Sequence, residues 1–127
     1  MPLDISKPDG TGKMKITSWT VSTEDSTSTL NFEGPIEGYG IVRATQHWTS
    51  TSANKDAGTM KGRALTILND GTINDAPLRG TFVRKGLKAD LFFTDAVSNG
   101  AFNFVHWKID LITKDVIVHY WDLHASL

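Results

Sequence analysis

The chain has 127 residues, no cysteine, and 13 basic against 14 acidic side chains, a formal net charge of −1. Without cysteine there are no disulfides, thiolate nucleophiles or zinc–thiolate centres, and a reducing compartment is permitted. Near-neutral charge withholds the basic excess that phosphate neutralisation requires, so nucleic acid is not an expected partner.

Residues 1–12, punctuated by Pro2, Pro8, Gly10 and Gly12, read as a flexible N-terminal arm before a single domain over 13–127. They lack the charged and apolar regions of a secretory signal, and no apolar run is long enough to span a bilayer; a cytoplasmic protein without a membrane partner is expected. Downstream, segments rich in Thr, Val, Ile, Phe and Trp alternate with a period near two, which predicts strands rather than helices.

The first expected strand, Lys13 to Ser22, places Met14, Ile16 and Ser18 on one face and Trp19 and Val21 on the other. Glu24-Asp25-Ser26 turns the chain into Thr27 to Glu33, which Gly34-Pro35 is expected to break. Tyr39 to Ser50 follows, then a polar loop over 51–58 and a strand from Thr59 to Leu68. Asn69-Asp70-Gly71 signals a hairpin turn because Asp-Gly supplies positive φ angles readily. Leu78 to Arg84 and Leu87 to Thr94 form a hairpin around Lys85-Gly86, and a last hairpin joins Ala101–Leu111 to Val116–His124. Seven to eight antiparallel strands with short connections favour a closed β-barrel, with a two-sheet sandwich as the alternative.

Phe32-Glu-Gly-Pro-Ile-Glu-Gly-Tyr-Gly40 follows Lys15-Ile-Thr-Ser-Trp19 and precedes Gly58-Thr-Met-Lys-Gly62 and Gly80-Thr-Phe82. This order of motifs resembles that of a bacterial domain-of-unknown-function family with an allene oxide cyclase-like β-barrel. The resemblance covers about the first two thirds of the chain and rests on glycine turns. It implies an eight-stranded antiparallel barrel, often oligomeric, around an apolar cavity. Plant allene oxide cyclases isomerise a fatty-acid epoxide in such a cavity, but no catalytic residue of theirs aligns here, and none is carried over.

The final hairpin holds three of the four histidines and two of the four tryptophans. If Leu111 pairs with Val116, His106 opposes Trp121, His119 opposes Lys108, and Trp107 and Tyr120 face each other across the hairpin. Shifted by one residue, His106 opposes Asp122 and makes a His–Asp dyad suited to general base catalysis. His106, His119 and Asp110 are therefore the candidate catalytic groups, beside the plainer reading of the histidines as strand residues at a rim or an oligomer surface. Asp90 also interrupts an apolar strand. Trp19, Trp48, Phe82, Phe93, Trp107 and Tyr120 form the expected wall for a ligand, or else a packed core. No metal-ligand spacing, cofactor fingerprint or nucleophile elbow occurs, so neither a metal nor a cofactor is expected. The functions to be tested are binding of a small apolar molecule inside the barrel, an isomerase or cyclase of the same shape, and an oligomeric structural or interaction module.

Overall fold

The computed structural model describes residues 6–124. Its strands are β1 (Gly10–Val21), β2 (Thr27–Ile36), β3 (Gly40–Ser50), β4 (Ala57–Ile67), β5 (Ile73–Lys85), β6 (Lys88–Ala96), β7 (Phe102–Asp110) and β8 (Asp115–His124). Each strand pairs antiparallel with its sequence neighbours and β8 returns to β1, giving a closed eight-stranded barrel. The closing ladder runs from Gly10 opposite Tyr120 to Lys15 opposite Asp115, and no helix occurs among the described residues. Closure rather than a sandwich satisfies every strand edge, the usual liability of an open sheet. Gly10–Gly12, assigned from sequence to the arm, pair with Val118–Tyr120 in this ladder. The first five arm positions lie outside the described residues.

The strands follow the alternation closely, and the departures have local causes. β2 continues through Gly34-Pro35, which were expected to end it: the β1–β2 ladder lapses between Lys15–Glu33 and Gly12–Ile36, so the missing Pro35 N–H interrupts no pairing there. β5 begins well before Leu78 and runs through Pro77, which pairs with β4 alone because the β5–β6 ladder starts at Leu78. At the Asp70-Gly71 turn, Gly71 takes φ +87 and its N–H donates to the Leu68 carbonyl at 2.9 Å.

Alternate residues point inward and fill most of the barrel, as expected for eight strands. Leu30, Phe32, Leu78, Leu91, Ile109, Val116 and Val118 are fully buried. Trp107 packs edge-on against Phe32 and Phe93 with centroids 4.9 and 5.4 Å away, while Trp48 stacks on Phe82 at 4.5 Å. Gln46 is also fully buried; its Oε1 accepts the Trp48 indole N–H at 2.9 Å. Each such aromatic pair contributes about 0.5–1.5 kcal/mol beyond the area it buries. The centre is thus a packed core, and open space is left only toward the two mouths.

Candidate functional site

The inward period of β6 and β7 carries polar residues at the end where β1 begins. Leu91, Phe93 and Asp95 share the inner face of β6; Asn103, Val105 and Trp107 share that of β7, and Asp95 lies opposite Asn103. The Asn103 amide Nδ2 donates to Asp95 Oδ1 and to the Tyr39 hydroxyl, both at 2.9 Å. Tyr39 stands on the turn between β2 and β3 and meets Tyr120 of β8 edge-on, with centroids 5.4 Å apart. The Tyr120 hydroxyl donates to the Glu37 carbonyl at 2.9 Å, tying β8 to the same turn. Gly10 is required beneath it, because a Cβ there would overlap the Tyr120 ring.

Behind the two tyrosines lies a cavity of about 60 Å³, lined by Asp95, Asn103, Thr66 and Trp107 among apolar groups that include Val42, Ala64, Ala76 and Val118. Space of this size holds a few water molecules or the head of a larger ligand. Thr66 Oγ1, Asn103 Oδ1 and Trp107 Nε1 are buried without a hydrogen-bond partner, and all three residues line this cavity. A buried polar group left unpaired costs about 1–3 kcal/mol, and three of the five such side-chain atoms among the described residues belong to residues that line this cavity.

Burial also sets the protonation of the mouth. It pushes the Asp95 carboxyl up to about 6, against the lowering effect of the Asn103 hydrogen bond. Burial raises Tyr39, and the Asn103 amide partly offsets it. Tyr120 is pushed up to about 12, first by burial and then by the neighbouring Tyr39 and carboxylates. Asp122 is raised by burial and by Asp9. A carboxyl that exchanges its proton near neutral pH therefore stands beside a small, mostly apolar chamber.

The six expected wall residues divide between the two ends. Phe93, Trp107 and Tyr120 line the cavity. Trp19, Trp48 and Phe82 border an open recess of about 300 Å³ at the opposite mouth, whose polar residues Asp25, Ser26 and Lys55 are exposed. None of the unpartnered buried atoms belongs to a residue lining that recess. Trp19 reaches it through a β-bulge. Thr17 is the extra residue between the pairs Ile16–Phe32 and Ser18–Asn31, so Trp19 falls opposite the inward Leu30 and Ser18 turns outward. The strict alternation read from sequence put Trp19 on the wrong face for this reason.

The histidine-rich hairpin takes neither of the registers weighed from sequence. Ile109 pairs with Val116, which sets His106 directly opposite His119, Trp107 opposite Val118 and Tyr120 opposite Val105. The cause is a longer turn: the Asp110 carboxylate accepts the Ile112 and Thr113 N–H groups at 2.9 and 3.0 Å, and Lys114 adopts φ +68. Both histidines lie on the outer face, away from the cavity. His106 bonds Asp90 at 2.7 Å and stacks on Phe92 at 4.6 Å, so a His–Asp pair exists, but across β6 and on the exterior. Desolvation, followed by His106 and Lys108, lowers the pKa of His119. Asp110 is also exterior; its hydrogen bond from Lys88 comes first among the causes that hold it down at about 2. The candidate catalytic residues thus lie apart from the cavity.

Tyr39, Thr66, Asp95 and Asn103 were missed by sequence reasoning. A signal existed in parity: Asp95 continues the inward series of Leu91 and Phe93, and Asn103 begins that of Val105 and Trp107, whereas Asp90 and Asp110 fall on the outward count. No group of three or more potential metal ligands occurs among the described residues, and no helix there is long and apolar enough to cross a membrane. Compared with protein-family models, curated proteins and solved structures, the chain matches none.

Proposed function

We propose that this barrel binds a small molecule at the Tyr39–Tyr120 mouth, with a compact polar head in the cavity and an apolar remainder against the tyrosine rings. The observation that carries this reading is that Thr66, Asn103 and Trp107, each with a buried and unpartnered polar side-chain atom, line one cavity. The packed aromatic centre argues against a ligand swallowed whole along the barrel axis, and the volume argues for a head of only a few heavy atoms.

The test is a titration of the ¹⁵N-labelled protein with short-chain alcohols, amines and carboxylic acids, following the indole N–H resonance of Trp107. Binding is expected to shift that resonance, and Ala76→Leu, which fills the cavity from a wall position, is expected to abolish the shift while retaining the β-sheet circular dichroism. A resonance indifferent to every compound would defeat the reading.

One observation favours isomerase or cyclase activity as a second reading: Asp95, whose carboxyl exchanges its proton near pH 6, stands at the chamber in reach of a bound head group. Under it, Asp95→Asn keeps binding and loses turnover of a bound epoxide or enolisable compound. Equal turnover by the variant would refute that role.

A further inference from the structure

We infer that the cavity selects a small organic amine in its ammonium form, held by the Asp95 carboxylate and the Asn103 side-chain carbonyl with the Tyr39 and Tyr120 rings beside it. This rests on the binding reading above and adds the chemistry of the ligand.

The first ground is the sign of the mouth. Among the described residues, no lysine, arginine or histidine lines the cavity, whereas two aspartates do. One of them, Asp75, is already paired with Arg63 on the outer surface, while Asp95 has no cationic partner. Asp9, Glu37 and Asp122 add negative charge around Tyr120. A carboxylate or phosphate head would enter a half-buried space with no cation to meet it, which is strongly unfavourable.

The second ground is independent of charge. Asn103 lines the cavity and is 2% exposed; its Nδ2 is fully used by Asp95 and Tyr39, so the amide is locked with Oδ1 as its unpartnered acceptor. An ammonium offers three donors, one for Asp95, one for Asn103 Oδ1 and one for the hydroxyl oxygen of Thr66. The tyrosine faces suit a cation further, through the negative face of each ring. Trp107 Nε1 is the donor left over; an acceptor atom near the amine, or a water carried in with it, completes the set.

Asn103 of β7 hydrogen-bonds Asp95 directly; the other polar or titratable groups that share its cavity are Tyr39 from the β2–β3 turn, Thr66 from β4, Asn74 and Asp75 from β5, Trp107 from β7 and Tyr120 from β8, and Asp122 of β8 acts beside it on Tyr39. None of them is a cation, so an entering ammonium would supply the charge that lets Asp95 ionise. Its affinity should therefore rise as pH increases through about 6. A neutral ligand should show no such rise.

The experiment compares butylammonium, 1-butanol and butyrate, similar in apolar body and different in head charge, by calorimetry and by the Trp107 indole resonance. Butylammonium is expected to bind about tenfold or more tightly than 1-butanol, as for a charge-assisted hydrogen bond, and butyrate not to bind. In Asp95→Asn the preference is expected to vanish, with the β-sheet circular dichroism of the variant showing that it is folded. If 1-butanol or butyrate binds as well as the amine, or if the amine preference survives Asp95→Asn, the amine inference is overturned and the binding reading stands. If none of the three moves the Trp107 resonance, both fail.

Discussion

Asp95 shows how a single buried carboxyl can weaken a fold at neutral pH. Its carboxyl is at 3.8 when solvated and about 6 in the barrel, so the folded protein holds the proton more tightly than the unfolded chain does. The stability linked to that proton is fully present below pH 3.8 and is lost as pH rises through about 6. Asp95→Asn keeps the shape and removes the charge. It is expected to stabilise the protein at neutral pH by about 1–2 kcal/mol, less than the full shift implies because the carboxyl still meets solvent. Urea unfolding should show this gain above pH 6 and its disappearance toward pH 4, whereas an equal gain at both values would mean that the charge is not its source.

At the level of elements, the barrel depends on how closely adjacent strands approach. Gly80 of β5 lies against Phe93 of β6, and a Cβ there would overlap the Phe92 carbonyl and stand 2.5 Å from the Phe93 side chain. Gly80→Ala is therefore expected to cost about 1–3 kcal/mol or more, because Phe93 would have to leave its packing against Trp107. Its midpoint in urea should fall, and the Trp107 indole resonance should move without added ligand. Most strands were legible in the sequence because β-branched and aromatic residues alternate between clear turn residues, as at Asp70-Gly71. What alternation could not reveal was the Thr17 bulge, which flips Trp19, or the side-chain wrap at Asp110, which lengthens the last turn and pairs His106 with His119. The bulge is a single-residue adjustment, enough to exchange the two faces of a strand, whereas the longer turn slides the last hairpin by two residues from the Leu111–Val116 pairing and leaves both histidines on one face.

For the whole molecule, closure joins the two ends of the chain at the cavity mouth. The Asp9 N–H donates to the Tyr120 carbonyl and the Asp122 N–H to the Asp9 carboxylate, at 2.8 and 2.7 Å. A circular permutant that links residue 124 to residue 9 and opens the Gly86-Leu87 turn, at the far mouth, is expected to fold to the same barrel. The expected loss is on the order of 1–2 kcal/mol, from one turn made anew and one strand connection cut. It should retain the wild-type circular dichroism and the same ligand-induced shift of the Trp107 resonance; a permutant that binds nothing while folded would show that the chain ends themselves shape the site. By itself the sequence determined the all-β class, seven to eight antiparallel strands that favour a closed barrel over a sandwich, and the aromatic character of the interior, since these follow from local alternation and turn chemistry. Only the tertiary structure decided that the centre is filled and that the space left lies toward the two mouths, with the unpartnered polar groups at one of them. Bringing Tyr39, Thr66, Asp95, Asn103 and Trp107 around one space depends on four segments of the chain meeting at one end of the barrel. That meeting is set by strand registers and a bulge, long-range quantities that no local pattern encodes.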